Sequence, residues 1–349
     1  MKKPLISIVM TVYNNEVYFP IAIDNILNQN FKSWELIIVD DGSTDNTGKI
    51  ADSYAKKDDR ITVIHGENQW VYGALNSGIQ KATGEYVFIH NSDDIIKPVT
   101  LEILADRINR YSPDVIWVPV IYHKCDKSQN IIEYDFINIE NLIKEEKLCL
   151  SKESVEENWL WFWVKCLSDN QVNCYKTSLM TKHPFHTDMF CGDAIFNTEI
   201  ADEVTSAIAL SKPLYVCYRY CADSMNASFE KWYPNEHKMY NYMYKGFREL
   251  FEKWNRPKEE YVEYWNNWRI NIFSMELDRL ANLCKTKSKK EKIDYIFCEY
   301  IDSVIRNIAI ESDRVDEINR RIVHGLKKID KNYIYKEGRN LLFDGNEWF

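Results

Sequence analysis

Short apolar runs alternate with helical spacings of apolar residues over the first third of the chain. Continuous β-branched runs are typical of buried parallel strands, whereas apolar residues spaced three and four apart predict amphipathic helices. The predicted strands are Ile6–Thr11, Glu35–Val39, Ile61–His65, Tyr86–Ile89 and Val115–Ile121. The predicted helices are Val17–Asn28, 45–57, Tyr72–Ala82 and 98–110. This order predicts an α/β fold with a mostly parallel sheet that helices cover on both faces.

The alternation becomes irregular after about residue 121. Helical patterns are expected at 139–146, 151–158 and 193–201, and short strands at Trp161–Val164, Val172–Tyr175 and Leu214–Tyr220. Long amphipathic patterns then occupy 235–254, 259–284, 289–308 and 313–329. We therefore predict one domain over residues 1–228, with halves 1–121 and 122–228, and an all-helical C-terminal module over 229–349.

Composition excludes some classes of protein. The chain has 349 residues and a formal net charge of −9, which disfavours a broad nucleic-acid surface. Its nine cysteines include no Cys-x-x-Cys pair, so we expect reduced thiols and no zinc site. No apolar run reaches the ~18 residues of a membrane span. The N-terminus lacks the apolar core of a signal peptide, so we expect a cytoplasmic protein, with peripheral contact at the inner face of the cell membrane as a further expectation.

Polar clusters follow the first, second and fourth predicted strands. They are Thr11-Val12-Tyr13-Asn14, Asp40-Asp41-Gly42-Ser43 and Asn91-Ser92-Asp93-Asp94. The carboxyl ends of parallel strands meet at one edge of a sheet, where open α/β folds bind ligands. The chain lacks a Gly-x-Gly-x-x-Gly sequence after the first strand and a P-loop sequence, which disfavours dinucleotide and P-loop folds. The acidic cluster instead predicts a divalent cation, Mg²⁺ or Mn²⁺, beside a bound diphosphate.

At these positions the chain resembles the bacterial-type, inverting family 2 glycosyltransferases with the GT-A fold. The matching segments are Ser7–Asn14, Glu35–Asp45, Glu67–Gln69, Asn76–Ile79, Ala82–Tyr86 and Ser92–Asp94, in the family's order. Weaker matches are Gly192–Phe196, similar to the family's acidic motif, and Tyr218-Arg219 with Ser224, similar to its closing segment.

The resemblance implies a role for each matching residue. Asp193 would be the catalytic base, and Asp93 would bind the metal ion. Tyr13 would stack on uracil, and Asp41 would accept a hydrogen bond from its N3–H, with Asp40 helping to position it. The other expected nucleotide-binding residues are Thr11, Asn68, Ser92 and Arg219.

Other interpretations of the same residues remain open. Asp41 and Asp93 are also typical of turns and helix caps, and Tyr13 of a strand end. Asp193 could cap the helix that follows it, with Asp188 as the rival base. The family commonly has Asp, Gly, Arg and Glu where this chain has Asn91, Trp70, Leu75 and Gly192.

The sequence therefore predicts an enzyme: a hexosyl- or N-acetylhexosaminyltransferase that moves a sugar from a UDP-sugar to an acceptor hydroxyl. A single displacement with a carboxylate base and a divalent cation satisfies that chemistry. The expected acceptors are a surface polysaccharide, a lipid-linked oligosaccharide or a protein. Homodimerisation through the C-terminal helices is also expected. The alternatives are a nucleotide-sugar-binding protein with little turnover and a metal-dependent nucleotidyltransferase.

Overall fold

The computed structural model describes residues 3–125, 131–134, 143–166, 173–188, 192–220 and 232–333. The chain divides into two compact units, Met1–Ala222 and Asp223–Phe349. The domain boundary predicted at 228 falls within residues 221–231, outside the described part of the chain.

The first unit alternates strands and helices in its N-terminal part. Its strands are β1 (Ile6–Val12), β2 (Trp34–Asp40), β3 (Ile61–His65), β4 (Tyr86–Ile89), β5 (Ile95–Ile96), β6 (Val115–Trp117), β7 (Val120–Cys125), β8 (Ile131–Tyr134), β9 (Lys147–Cys149), β10 (Cys174–Lys176), β11 (Ala207–Ala209) and β12 (Tyr215–Tyr220). Its helices are α1 (Phe19–Leu27), α2 (Thr47–Ala55), α3 (Trp70–Ile79), α4 (Thr100–Tyr111), α5 (Lys152–Cys166), α6 (Thr177–Lys182) and α7 (Gly192–Ile200).

The strands form two sheets. The larger has eight strands in the order β3-β2-β1-β4-β10-β6-β11-β9, and the smaller has the order β5-β12-β7-β8. Strands β3, β2, β1 and β4 are parallel, which confirms the parallel sheet predicted for this part of the chain. Strand β10 is antiparallel to both β4 and β6, so the sheet as a whole is mixed.

Helices cover both faces of the central strands. On one face, Phe19 and Ile23 of α1 and Leu104 of α4 join a core with Ile8 of β1. On the other face α3 packs closely, since a Cβ on Gly78 would lie 2.6 Å from Val9 Cγ1. Burial on both faces is why β1 and β2 consist of nearly continuous apolar residues.

Two sequence predictions in the second half of this unit are wrong. Residues Trp161–Val164, predicted as a strand, lie in α5. Trp159 and Trp163 are four residues apart and both are buried on one face of the helix, whereas Trp161 between them is only partly buried. The predicted strand Val115–Ile121 divides into β6 and β7, which belong to different sheets. Half of the helix expected at 139–146, residues 139–142, lies outside the described residues, and the described half, residues 143–146, is irregular rather than helical.

The second unit contains helices at all four positions that the sequence predicted. They are α8 (Glu236–Lys253), α9 (Lys258–Asn282), α10 (Lys289–Tyr295), α11 (Ser303–Glu311) and α12 (Val315–Ile329). A π-helical turn, Ile296–Tyr300, separates α10 from α11 where the sequence predicted one helix. None of the helices described here is both long and apolar enough to cross a membrane.

The aromatic faces of α8 and α9 pack against each other inside the second unit. The rings of Phe247 and Trp265 stack with their centroids 4.0 Å apart, and Tyr261 is buried. A buried ion pair joins Arg269 to Glu276 over 2.9 Å. Phe247 and Trp265, on the apolar faces of helices expected to form a dimer, therefore already have partners within the unit.

Candidate functional site

The polar clusters that follow β1, β2 and β4 lie at the same edge of the larger sheet. Val12 pairs with Asp40 across β1 and β2, and the Asp41 N–H donates to the Val12 carbonyl over 2.9 Å. Strand β4 pairs with the other side of β1, where Ile89 is opposite Val9. The carboxyl ends of the central strands therefore meet, as the sequence predicted.

Asp40 and Asp41 are both buried but have different partners. Asp40 accepts a hydrogen bond from the Ser43 N–H at 3.1 Å and contacts His65 Nδ1 at 2.9 Å. These contacts hold the turn after β2 and the end of β3 together. Asp41 accepts from the Gln69 N–H at 2.7 Å. Burial raises the pKa of Asp41, although the N–H groups of Gln69 and Trp70 partly offset that rise.

The turn after β2 approaches the loop before α3 closely. Gly42 has a φ of +78°, and a Cβ there would lie 3.0 Å from the Asn68 N atom. Glycine is therefore required for both its conformation and its size. This approach places Asn68 beside Asp41, and Asn68 Oδ1 accepts from the Trp70 N–H at 3.2 Å.

Two asparagines connect the end of β1 to the other clusters. Asn14 Oδ1 accepts from the Thr44 N–H at 2.7 Å. Asn15 Nδ2 donates to the Ser92 carbonyl at 3.0 Å and lies 3.2 Å from Ser92 Oγ. Ser92 is buried. These bonds join the three polar clusters, so the residues predicted from separate strand ends form one site.

Asp94 is the structural member of the acidic cluster. It is fully buried and accepts from Asn91 Nδ2 at 2.8 Å, from the Tyr215 hydroxyl at 2.9 Å and from the Tyr218 N–H at 2.9 Å. Asn91, which departs from the family pattern, thus supports the cluster by donating to Asp94. With three donors, Asp94 fixes the cluster to β12 of the smaller sheet.

Asp93 is the carboxylate of this cluster that fits a metal ion. Its side chain is partly exposed, and burial together with the charge of Asp94 raises its pKa. A divalent cation beside two neighbouring carboxylates would offset that unfavourable charge. Within the described ranges no group of three or more His, Cys, Asp or Glu side chains is arranged to hold a metal ion. A single carboxylate still fits Mg²⁺ or Mn²⁺, because substrate phosphates and water commonly complete such sites.

Asp193 lies in the first turn of α7 and contacts α3. Its Oδ1 accepts from the Tyr72 hydroxyl at 3.2 Å. Gly192 permits this approach, since a Cβ there would lie 3.0 Å from Tyr72 Cε2. The first turn of α3 thus contacts Asp41 through Gln69 and Asp193 through Tyr72. This turn therefore connects Asp193 to the edge of the sheet that carries Asp41.

The rival base has a different environment. The Asp188 carboxylate is 78% exposed and lies 3.8 Å from His186. His186 is itself 2.8 Å from Glu199. Asp188 therefore belongs to a surface group of ionisable side chains.

For the remaining predicted residues the structure gives the position in the fold, but no side-chain hydrogen bond to the rest of the site within the part of the chain that it describes. Thr11 and Tyr13 lie at the end of β1, and the Tyr13 side chain is 50% exposed. Arg219 lies in β12, but its side chain is outside the described part of the chain.

Sequence analysis missed several residues that position this site. His65 contacts Asp40, Asn15 binds Ser92, Tyr72 binds Asp193 and Tyr215 binds Asp94. Asn15 directly follows a cluster that the sequence identified, so its position was a usable signal. The sequence contained no comparable signal for Tyr72 or Tyr215, because each binds an aspartate that is distant along the chain; Tyr72 and Asp193, for example, are 121 residues apart.

Comparison with known sequences finds similarity to one family of enzymes, strongest in the N-terminal part of the chain. Residues 7–162 match the model for Glycosyl transferase family 2. Over 113 residues, 32% of the chain, the sequence is 42% identical to the glycosyltransferase GlyG of Streptococcus pneumoniae, spanning only 38% of that relative. It is also 29% identical over 322 residues to EpsJ of Bacillus subtilis, an uncharacterized glycosyltransferase, and this match covers 89% of each chain.

Solved structures share the fold. S. aureus TarS 1-349 in complex with UDP-GlcNAc has a TM-score of 0.59 at 18% identity, covering 94% of this chain and 91% of that one. The mannosyltransferase PcManGT from Pyrobaculum calidifontis, in complex with GDP-Man and Mn²⁺, has a TM-score of 0.52 at 14% identity, covering 95% and 89%. The first unit thus has the GT-A fold, and the N-terminal part of the chain, residues 7–162, is similar to the family 2 glycosyltransferases.

Proposed function

We propose that this protein transfers a sugar from a UDP-sugar to an acceptor hydroxyl, with inversion at the anomeric carbon. The observation that carries the proposal is the first turn of α3. It contacts Asp41 at the nucleotide-binding edge through Gln69 and contacts Asp193 through Tyr72. A nucleotide sugar that extends from Asp41 towards Asp193 would therefore have its nucleobase at one end of this turn. Its anomeric carbon would lie at the other end, near Asp193.

The nucleotide end is assigned to residues at the ends of β1 and β2. The half-exposed ring of Tyr13 is available to stack on a base. The carboxylate of Asp41 accepts the base N3–H, and Asp40 holds the turn that carries Asp41. Thr11, Asn68, Ser92 and Arg219 complete the proposed nucleotide contacts.

The diphosphate end is assigned to the turn after β4. Asp93 would hold the divalent cation, and Asn15 and Asp94 keep that turn in position. A bound Mn²⁺ or Mg²⁺ compensates the negative charge that develops on the departing nucleoside diphosphate.

Asp193 carries the proton transfer in this proposal. Its carboxylate takes the proton from the acceptor hydroxyl as that oxygen attacks the anomeric carbon. The bond from that carbon to the phosphate oxygen breaks, and its electron pair leaves with UDP. General-base assistance of this kind contributes typically ~10²–10⁴-fold to the rate. The hydroxyl of Tyr72 donates to Asp193 and so orients the carboxylate.

The direct test is UDP release from a panel of UDP-hexoses and UDP-N-acetylhexosamines in the presence of Mn²⁺. The TarS complex supports UDP as the carrier, and GDP-mannose belongs in the panel because a protein of the same fold binds it. NMR of the product would give its anomeric configuration. Retention of configuration would contradict the single displacement.

The base assignment has its own test with a matched control. Asp193→Asn should lower turnover by about 10²-fold or more while UDP affinity stays unchanged. Asp188→Asn should retain wild-type turnover, because that exposed carboxylate contacts His186 at the surface. Loss of turnover in the Asp188 variant, with Asp193→Asn active, would transfer the role to Asp188.

The alternative of a sugar-nucleotide-binding protein with little turnover rested on Asn91 and Gly192. Both residues have structural roles, since Asn91 donates to Asp94 and Gly192 admits Tyr72. They therefore favour an intact catalytic site. UDP binding without transfer across a broad acceptor panel would favour the alternative. The match of residues 7–162 to the model for Glycosyl transferase family 2 disfavours a nucleotidyltransferase, which pyrophosphate release from a nucleoside triphosphate would identify.

The acceptor and the location remain part of the proposal. A surface polysaccharide, a lipid-linked oligosaccharide and a protein are the acceptors to test. Cytoplasmic location, peripheral membrane association and a homodimer through the C-terminal helices stay predictions. Sedimentation of the full chain tests the dimer, and a monomer at all concentrations would exclude it.

A further inference from the structure

Trp70 occupies an unusual place in the proposed site. It is the first residue of α3 and directly follows Gln69, whose N–H binds Asp41. Two residues further along, Tyr72 binds Asp193. The indole is therefore attached to the backbone between the contact to the nucleotide-binding carboxylate and the contact to the proposed base.

The backbone of Trp70 is in a conformation that a bulky residue rarely adopts. Its φ is +61°, in the left-handed region that favours glycine. The loop holds it there, because the Trp70 N–H donates to Asn68 Oδ1 at 3.2 Å. Strained residues of this kind are concentrated at ligand-binding sites, where the surrounding structure maintains them.

The Trp70 side chain has little burial and no ring stacking that would stabilise it within the described part of the protein. The Trp70 residue is 76% exposed. Over the part of the chain that the structure describes, its indole has no stacking partner. By contrast, Trp159 and Trp265 are fully buried. A large aromatic face that is strained, exposed and beside the acidic groups lacks a structural reason in the free protein.

The order of groups along a nucleotide sugar identifies the part that would face Trp70. The base is assigned to Tyr13 and Asp41, and the reacting carbon lies near Asp193. Trp70 lies along the chain between the residues that contact those two carboxylates, so on this assignment the sugar end of the reactants would lie near it. One face of a pyranose ring presents C–H groups, which pack against a flat aromatic surface.

We propose that the Trp70 indole stacks on a pyranose ring of the bound reactants and contributes to sugar selection, an inference that rests on the proposed function. The ring belongs either to the donor or to a sugar of the acceptor. In the first case the affinity for the UDP-sugar depends on Trp70, and in the second case the affinity for the acceptor does. Stacking also gives a reason for a tryptophan at a backbone position that glycine would occupy without strain.

The experiment compares Trp70→Ala, Trp70→Phe and the wild type by calorimetric titration with UDP and with the preferred UDP-sugar, both in the presence of Mn²⁺. We expect UDP affinity to remain within about twofold. Stacking on the donor predicts an affinity for the UDP-sugar that is about 3- to 10-fold weaker in Trp70→Ala. Stacking on the acceptor predicts an acceptor KM raised by a similar factor with donor affinity unchanged. Trp70→Phe should restore most of the loss.

A stability measurement separates this role from a structural one. Trp70→Gly removes the strain, so its melting temperature should equal or exceed that of the wild type while sugar affinity falls. Ser112→Gly is the matched control, because Ser112 also has a positive φ, +45°, but follows α4. It should gain stability without any change in sugar affinity.

Three results would overturn the inference. The first is an equal loss of UDP and UDP-sugar affinity in Trp70→Ala, which would assign the indole to the nucleotide. The second is a Trp70→Ala protein with unchanged UDP-sugar affinity and unchanged acceptor KM. The third is a Trp70→Gly protein that melts below the wild type. Each is distinct from failure of the proposed function, in which the wild-type protein itself would release no UDP from any donor.

Discussion

At the scale of single residues, adjacent carboxylates in this protein differ in what surrounds them. Asp94 is fully buried and accepts three hydrogen bonds, whereas Asp93 is partly exposed. A buried acceptor with several donors stabilises the fold, since removing it leaves those donors unpaired. A partly exposed carboxylate can instead bind a ligand.

We therefore expect opposite effects from two neighbouring substitutions. Asp94→Asn places an amide donor against existing donors and should cost about 1–3 kcal/mol of stability, seen as a lower melting temperature. Asp93→Asn removes a charge that burial and Asp94 disfavour, so it should keep or raise the melting temperature while strongly lowering Mn²⁺-dependent turnover. A stable, active Asp94→Asn protein would contradict this division of roles.

His90 is a second residue whose burial has a measurable consequence. It is 1% exposed, and its Nδ1 lies 2.7 Å from the Asn91 carbonyl. Burial lowers the pKa of His90 to about 4, against an ordinary value of 6.5, so the folded protein keeps the ring neutral. In the unfolded chain the ring takes up a proton below about pH 6.5. Between about pH 6.5 and pH 4 the unfolded chain therefore binds a proton that the folded chain does not. The free energy of unfolding is highest above this range and falls as the pH drops towards 4.

The predicted effect of His90 is a loss of up to about 3 kcal/mol of stability between pH 7 and pH 4. The measurement is the melting temperature against pH for the wild type and for His90→Gln, which cannot titrate. The wild type should lose more stability on acidification than the variant. His324→Gln, at an exposed position, is the control and should follow the wild type. Parallel curves for His90→Gln and the wild type would show that His90 does not cause the acid sensitivity.

At the scale of elements, α3 does more to assemble the site than any other helix described. Its first turn contacts Asp41 and Asp193. Further along, Asn76 exchanges two hydrogen bonds of 2.8 Å with the backbone of Phe185, in the loop that precedes α7. Gly78 lets the helix lie directly on the sheet, against Val9. The distance between α3 and the sheet therefore sets the position of both ends of the site.

Gly78→Ala tests that dependence. The added methyl group would lie 2.6 Å from Val9 Cγ1, so the helix must shift, at a cost of about 1–3 kcal/mol. We expect a lower melting temperature and weaker UDP binding in titration. Gly66→Ala is the control, since the nearest atom there is 3.8 Å away. Wild-type UDP affinity in a destabilised Gly78→Ala protein would separate the packing of α3 from the site.

At the scale of the whole molecule, the proposed site should couple ligand binding to stability. A ligand that binds only the folded chain stabilises it, by about 2.7 kcal/mol at a concentration 100 times its Kd. The site consists of turns from several strands, so a bound nucleotide connects segments that are distant in sequence. Its binding should therefore be visible in thermal unfolding.

We expect UDP with Mn²⁺ to raise the melting temperature of the full chain more than UDP with a chelator does. Asp93→Asn should remove the difference between the two conditions, because the metal contribution depends on that carboxylate. Asp41→Asn should reduce the shift in both conditions. An equal shift with and without Mn²⁺ in the wild type would contradict metal-assisted binding of the diphosphate.

The sequence by itself determined the order of elements in the first third of the chain and the positions of its polar clusters. The apolar period of a strand or a helix is local, so Ile61–His65 and Tyr86–Ile89 have the bounds that the sequence predicted. The position of the cluster around Asp41 could also be predicted from the sequence, because parallel strands end at a common edge of the sheet.

The tertiary structure alone decided which groups hold Asp94 and Asp40 in place, how β10 enters the sheet, and that Trp159 and Trp163 of α5 are buried. It also decided the contact between Tyr72 and Asp193, 121 residues apart. These features depend on packing between distant segments, which local periodicity does not contain. Asp93 and Asp94 are the same residue type at adjacent positions, and the hydrogen bonds from Asn91 and from β12 show that Asp94 is the structural one.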